Sequence, residues 1–450
     1  MAADSKVAIL QFGEGNFLRA FMEDMLQHAN DDARYEGSVA IVKPRTGGSL
    51  EAFARQNNQY TLLLQGKQDG ELVKRTKRIT CVNEVYYGDR DYEKYLALSE
   101  SEDLKLIVSN TTEAGIRFDS SDLNFAEAPA TYPGKLTAFL YRRFQTFAKT
   151  GTAEHGCVIL PFELNENNGE LLRECVLRYA DHWSLPEAFR TWIISDNLFC
   201  NTLVDRIVSG YSEAEMEHQK TKTGFEDRLL VVAEPYGSLI IETEQVDRVL
   251  DAFPFGRCGL KVTFTNDMAP YRQQKVKLLN GIHTAICMTG LMMGLEFVSD
   301  CMEEPLMRHY IHQLIEAEIS PTIRLPQETV QTFAESMVER FENPFLNHSL
   351  RSIALNSVSK WETRIYPTIE DYYSMKEEYP KGLLFSLAAL NVFYDGGWKE
   401  CGLDRLQDDA DASEILMRHP KLEAPVTEMT DRIKRYGVHS TLEKLVKTSM

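Results

Sequence analysis

The chain is short of positive charge. Its 450 residues include 49 lysines and arginines against 67 aspartates and glutamates, a formal net charge of −18. Nucleic-acid contacts need a cationic surface, so this balance argues against a nucleic-acid binder, although a small anion needs only a local basic pocket. Long apolar runs are also missing. No stretch reaches the ~18 residues of a membrane span, and the longest candidates, Thr284–Val298 and Leu383–Tyr394, read as buried helices; no membrane partner is expected. The N-terminus enters a strand pattern within a few residues, so no signal peptide is expected. The eight cysteines are scattered without a C-x-x-C pair. That pattern suits a reduced, cytoplasmic protein with ordinary buried thiols rather than a disulfide framework. The ten histidines are dispersed, and the close pair His309 and His312 has no carboxylate–histidine motif around it, so no metal site is expected.

What is present is ordinary for a globular protein: 43% hydrophobic and 26% charged residues. The length suits roughly two or three domains. From residue 6 to about 265, short β-rich runs alternate with amphipathic helices. Val7–Phe12, Ser38–Val42, Leu104–Ser109 and Cys157–Pro161 read as buried strands. Tyr60–Leu64 and Leu72–Thr80 read as a hairpin across a polar turn. The segment after Pro133 and Glu170–Trp183 read as helices. This alternation predicts an α/β, Rossmann-type, mainly parallel sheet with helices on both faces over residues 1–265. From 266 to 450 the text is mostly helical: Tyr271–Phe297, Glu304–Glu318, Gln327–Phe341, Ser349–Lys360, Gly382–Phe393 and Ser413–Met417. A change of class without a flexible linker predicts two closely packed domains, a setting in which small-molecule sites form.

The first chemical signal is Gly13-Glu14-Gly15-Asn16-Phe17-Leu18-Arg19, where a strand gives way to a helix. A tight turn needs one glycine, close approach to a pyrophosphate needs another, and the helix start offers unpaired N–H groups to the anion. Leu18 stands where the third glycine of G-x-G-x-x-G would be. Rossmann units often place an acid at the end of the second strand to grip the adenosine ribose. Here that strand ends Ile41-Val42-Lys43-Pro44-Arg45, without an acid. Lys43 with Arg45 would suit a 2′-phosphate, or they are plain solvated charges, so this segment leaves NAD and NADP both open.

The second signal is Lys275, Asn280 and His283 within QQKVKLLNGIHTA. On an α-helix they lie at about 0°, 140° and 80°, on one side. A lysine can pass a proton to a carbonyl oxygen, an asparagine amide can hydrogen-bond the developing alkoxide, and a neutral imidazole can orient it. Lys277 lies about 200° from Lys275 and is set aside.

At this point the chain resembles the long-chain polyol-specific dehydrogenase/reductase family, which includes mannitol dehydrogenases. The resemblance rests on K-x4-N-x2-H at Lys275, Asn280 and His283, and on G-x-G-x-F-x-R at Gly13, Gly15, Phe17 and Arg19. It is carried further by the V-D-R-I run ending at Ile207, by Glu234-Pro235-Tyr236, and by Asn343-Pro344 and Lys360. Within the family the chain is most similar to the tagaturonate reductase (altronate oxidoreductase) branch. Gln11–Phe21, Val108–Ile116, Tyr132–Thr137, Glu163–Leu171, Leu203–Tyr211 and Ser352–Asn356 carry that likeness. Two places depart from the mannitol and mannonate pattern. Thr112-Glu113-Ala114-Gly115 replaces a T-E-K-G-like loop, and Phe162-Glu163-Leu164 replaces C-D-N. Leu164 cannot supply the oxyanion contact of that asparagine; Asn165, Asn168 or Asn280 alone are the substitutes.

The resemblance implies reversible hydride transfer, D-tagaturonate plus NADH giving D-altronate plus NAD, with Lys275 as general acid/base, Asn280 and His283 beside it, and no metal. The alternatives are a fructuronate reductase or mannonate dehydrogenase, a polyol or polyol-phosphate dehydrogenase, or a nucleotide-binding regulator that has lost catalysis. The expected cofactor set is Gln11, Phe12, Gly13, Gly15, Asn16, Phe17, Leu18, Arg19 and Lys43, with Ser109, Asn110, Thr111 and Glu113 bordering the nicotinamide ribose. A hexuronate carries a carboxylate, which calls for a cation. Arg364, Lys360 and Arg272 are the candidates, with Asn165 and His348 for the rest of the substrate. The expected partner is this small molecule; a monomer and a small homo-oligomer are both compatible with the charge.

Overall fold

The structure, a computed structural model, describes residues 6–148, 155–397, 399 and 413–448. The chain divides into two compact units, Met1–Gln65 with Val73–Met268, and Gly66–Leu72 with Ala269–Met450.

The first unit is built on a six-stranded sheet. Its strands are β1 (Lys6–Phe12), β2 (Gly37–Lys43), β5 (Val82–Tyr87), β6 (Leu106–Ser109), β7 (Val158–Pro161) and β8 (Leu198–Phe199), after the hairpin β3 (Tyr60–Gln68) and β4 (Glu71–Ile79). The order β5-β2-β1-β6-β7-β8 is parallel throughout. Counted without the hairpin, this is the doubly wound order 3-2-1-4-5-6. The central strands read as continuous apolar runs because both faces are covered. Ile9, Val39, Ile41, Leu106, Val108 and Leu160 pack into one core. Their alternates Leu10, Phe12, Ala40, Val42, Ile107 and Ile159 pack into another. The helix Met22–Ala33 contributes Met25 and Leu26 to the first core. Tyr132–Ala148 contributes Leu136 and Phe139 to the second, and Asn168–His182 contributes Leu172 and Val176.

Two further sheets complete this unit. β10 (Val208–Ser209) and β11 (Val231–Ala233) join β3 and β4, while β9 (Asn201–Asp205), β12 (Ser238–Glu242) and β13 (Lys261–Thr265) form a mixed sheet. The V-D-R-I and E-P-Y motifs lock them in place. Arg206 pairs with buried Asp24 at 2.8 Å and donates to the carbonyls of Ala20 and Glu234, while the Ile207 amide donates to the Glu234 carboxylate. These two motifs therefore hold the start of the Met22–Ala33 helix.

The second unit is helical from residue 269 on. Helices Gly281–Met292 and Lys381–Val392 are buried almost all round and form its centre, as an all-apolar helix must. Two expectations need correction here. The expected helix Ser349–Lys360 is two helices, Leu350–Ile353 and Ser357–Arg364, broken where Asn356 takes a left-handed φ of +56°. Lys360 and Arg364 both lie in the second of these helices, which runs past the expected end at Lys360. The expected helix from Tyr271 to Phe297 spans 269–292 and contains a π-helical turn, Lys275–Asn280. The seven described cysteines are free and buried, and among the described residues no helix is long and apolar enough to cross a membrane.

Candidate active site

In an open parallel sheet, ligands bind beyond the carboxyl ends of the strands, where the winding direction reverses. In the first unit that point lies between β1 and β6. Gly13 leaves β1 with φ +123°, and a Cβ there would come within 2.9 Å of the Asn110 carbonyl oxygen that leaves β6. Only glycine fits such a position. Gly15 is different: its backbone is extended, and a Cβ would meet no atom within 4 Å. Nothing in the protein itself demands glycine there, whereas a pyrophosphate approaching the main chain would. The helix that follows, Asn16–Arg19, has no side-chain cap. The loop therefore fits a dinucleotide.

The side chains around this crevice are committed to holding it. Gln11, fully buried, donates to the Gly13 carbonyl and to buried Glu23. Phe12 and Leu18 are buried in the two cores, and Phe17 stacks on Phe21 at 4.9 Å. Asn16 accepts a hydrogen bond from Arg19. Arg19 itself, expected at the cofactor, turns inward: its guanidinium donates to the Leu229 carbonyl and lies over the Tyr60 ring. Lys43 pairs with Glu14, and Arg45 donates to the Thr111 carbonyl and the Thr112 hydroxyl.

Sequence reasoning missed Glu163, which anchors the loop after β6. Its carboxylate accepts from the Ser109 hydroxyl (2.9 Å) and from the Thr111 amide (2.8 Å) and hydroxyl (2.9 Å). Burial pushes its pKa up, and the Thr111 and Ser109 bonds oppose that. Asn110 donates to the Phe162 carbonyl at 2.7 Å. Glu113 is exposed, and its carbonyl accepts from Asn165 at 3.2 Å. Leu164 is exposed, and its side chain offers no polar group where the polyol enzymes have their asparagine. Asn168 cannot replace one: its amide nitrogen donates to the carbonyls of Pro161 and Glu163, and its oxygen accepts from the Thr202 amide. The signal was an acid two residues past a buried strand, where a carboxylate can tie neighbouring loops.

The second unit carries Lys275, Asn280 and His283 on its central helix. The π turn changes their relation. The Gly281 amide reaches back five residues to the Val276 carbonyl, and this wide turn draws residues five apart, such as Lys275 and Asn280, towards one face. Turns of this kind occur often at functional sites. Lys275 and Asn280 are half-buried, and the Asn280 carbonyl accepts from the Thr284 hydroxyl at 2.8 Å. Lys277 is the structural lysine: buried, it donates to the Thr322 carbonyl and hydroxyl and pairs with Asp371 at 2.5 Å.

His283 is buried, and its Nε2 has no hydrogen-bond partner among the described residues. Its ring stands 4.5 Å from Phe341 and 4.6 Å, edge to face, from His348. Burial, with His348, Arg340 and Arg364 nearby, holds His283 well below the usual histidine range, so the imidazole is neutral. His348 is lowered too, by burial and Arg340. Arg364 lies within 3.4 Å of the Thr284 hydroxyl. The structure thus brings His283, His348 and Arg364 together and adds buried Arg340, which the sequence pattern did not single out. Lys360 instead donates to the Ile353 carbonyl across the helix break. Arg272 is half-buried in the helical turn before Lys275. A neutral imidazole whose Nε2 has no partner among the described residues, set among cations, is a setting for an oxygen-rich, anionic molecule.

Residues 7–251 match the model of the mannitol dehydrogenase Rossmann domain, and 267–434 that of the mannitol dehydrogenase C-terminal domain. The chain is 43% identical to an altronate oxidoreductase of Bacillus subtilis (strain 168), over 89% of this chain and 81% of that protein. It is 38% identical to altronate oxidoreductases of Yersinia pestis (89% and 82%) and Bacteroides thetaiotaomicron (89% and 83%). Its fold is similar to a substrate-free D-sorbitol dehydrogenase, with a TM-score of 0.82 at 20% identity over 97% of this chain and 95% of the other. It is also similar to Pseudomonas fluorescens mannitol 2-dehydrogenase in ternary complex with NAD and D-mannitol, with a TM-score of 0.71 at 21% identity over 99% and 96%. With both family domains matched and these relatives spanning most of its length, the chain belongs to the mannitol dehydrogenase family of oxidoreductases acting on CH–OH groups.

Proposed function

We propose that this protein interconverts D-tagaturonate and D-altronate with NAD(H), and that it resides in the cytoplasm. The observation that carries this reading is the buried set around His283, with its free Nε2 beside His348, Arg340 and Arg364. A neutral polyol has no need of such a cationic surround; a hexuronate carboxylate does. The 38–43% identity to altronate oxidoreductases supports the same substrate.

The Gly13–Gly15 turn and the Ser109–Thr111 loop hold the dinucleotide, whose nicotinamide supplies the hydride when bound. The other roles fall to side chains of the second unit. Lys275 gives a proton to the keto oxygen during reduction and takes it back during oxidation. Asn280 donates an amide hydrogen to the oxygen as charge develops on it, an electrostatic contribution that grows towards the transition state. His283 stays neutral and orients the substrate through Nε2. Arg364, with Arg340 and His348 beside it, receives the carboxylate.

The test is NADH oxidation with D-tagaturonate, D-fructuronate, mannitol phosphate and neutral ketoses side by side, for the wild type and Arg364→Ala. Turnover on tagaturonate is expected to dominate. Arg364→Ala is expected to raise KM for the uronate by ~10-fold or more, the size of a lost charge-assisted hydrogen bond, with neutral ketoses little changed. Preference for fructuronate would move the protein to the mannonate branch, and equal effects on all substrates would remove Arg364 from the carboxylate site.

A further inference from the structure

The end of β2 is where a Rossmann unit meets the adenosine ribose, and its usual acid distinguishes a 2′-hydroxyl from a 2′-phosphate. In this chain the residue there is Lys43, which by itself would favour a phosphate. The structure places a carboxylate beside it all the same. Glu14, from the turn after β1, sets its Oε1 2.5 Å from the Lys43 ammonium, with side-chain exposures of only 28% and 11%. A partly shielded pair of this kind is screened less than one at the open surface. Among the described residues, the second Glu14 oxygen has no partner. Gly48 closes over the lysine, since a Cβ there would lie 3.3 Å from Nζ. The other cation of the segment, Arg45, is tied at 3.0 Å to the Thr111 carbonyl and the Thr112 hydroxyl.

We propose that Glu14 selects the coenzyme: held at the end of β2 by Lys43, its carboxylate accepts the ribose 2′-hydroxyl of NAD(H) and repels the 2′-phosphate of NADP(H). The acid missing from the second strand is thus supplied from the first turn, 29 residues earlier in the chain. Lys43 serves as a positioning residue: it aims the carboxylate and, being neutralised by it, offers no net charge to a phosphate. This inference rests on the dinucleotide reading of the first unit.

Binding of NADH and NADPH is measured directly by fluorescence titration of the full chain, for the wild type, Glu14→Gln and Lys43→Met, with thermal melts to verify folding. The wild type is expected to bind NADH about 10-fold or more tightly than NADPH. Glu14→Gln frees Lys43 for the phosphate, so NADH should weaken while NADPH tightens, and the ratio should fall by about 10-fold or more. Lys43→Met keeps the carboxylate and should keep the preference for NADH. Equal weakening of both coenzymes in Glu14→Gln would make Glu14 a mere strut of the turn and overturn the proposal, as would a wild type that binds NADPH as tightly as NADH. Binding of neither coenzyme by a folded wild type would overturn the dinucleotide reading itself, a pattern distinct from either of those.

Discussion

The two units build their candidate sites from different materials. In the Rossmann unit the crevice between β1 and β6 is main chain, and the side chains around it are spent on holding that chain still: Gln11 on Gly13, Asn110 on Phe162, Glu163 on Ser109 and Thr111, Arg45 on Thr111 and Thr112. In the helical unit the site is side chains, and one of them, His283, keeps a buried ring nitrogen without a partner. The contrast follows from what each must do. A dinucleotide is recognised by fixed amides and by shape, so saturating the loop's polar groups pre-organises it. A carbonyl is reduced by groups that exchange partners during turnover, so some hydrogen-bonding capacity must stay uncommitted, despite what an unsatisfied buried polar group costs.

The sharpest way to break this comparison is the lysine pair of the π turn. Lys275→Ala is expected to lower turnover by ~10²–10⁴-fold, the usual worth of a positioned proton donor, while NADH titrates as in the wild type. Lys277→Met is expected to keep the chemistry but cost about 1–3 kcal/mol of stability in urea unfolding, since it strips a donor from the Thr322 carbonyl. If the two phenotypes were exchanged, the roles of the lysines would be exchanged too.

Both units use buried acids to accept backbone amides, Glu163 among them in the first and Glu318 in the second, and the latter gives a pH test. Glu318 accepts from the amides of Gly382 (2.7 Å) and Leu383 (2.8 Å) at the start of a central helix. Burial nevertheless pushes its pKa from 4.5 up to about 7. Between those two values the folded state holds a proton that the unfolded state releases. Stability contributed through this group therefore falls as pH rises from 4.5 to about 7 and is level above. The difference in unfolding free energy between the wild type and Glu318→Gln should drift by up to about 3 kcal/mol across that window. A difference independent of pH would mean that Glu318 is not titrating there.

The glycines of the first turn probe the main-chain site at smaller scale. Gly13→Ala, at φ +123° and against the Asn110 carbonyl, should cost about 1–3 kcal/mol of stability as well as NADH affinity. Gly15→Ala meets open space and should cost less than about 1 kcal/mol yet still weaken NADH. Should Gly15→Ala leave NADH affinity intact, the pyrophosphate does not approach that residue.

The parallel sheet was legible because β1, β2, β6 and β7 are buried on both faces and write themselves as unbroken apolar runs. The strands from residue 198 on are only two to five residues long, too short for periodicity to register; the hairpin β3–β4 was legible, but not the strands that join it nor the sheet β13-β12-β9. Lys275, Asn280 and His283 stood out as residue types in a pattern, and Lys277, set apart from them by its helix angle, is bonded to Thr322 and Asp371. The π turn was not visible: KVKLLN contains nothing that departs from an ordinary helix. Likewise Arg340 and Glu163 look in sequence like any charge near a helix or strand end.

Local sequence was thus enough for the order of the central strands and helices, the glycine turn and the Lys275–Asn280–His283 pattern, since these depend on the periodicity of burial and on residue types over a few neighbours. The pairing of Glu14 with Lys43, the grip of Glu163 on the loop after β6, and the cations gathered round His283 join residues 29, 52 and more positions apart. Such contacts exist only once the sheet order and the helix packing have brought distant segments together, and a buried charge or imidazole takes its working state from those neighbours rather than from its own place in the chain.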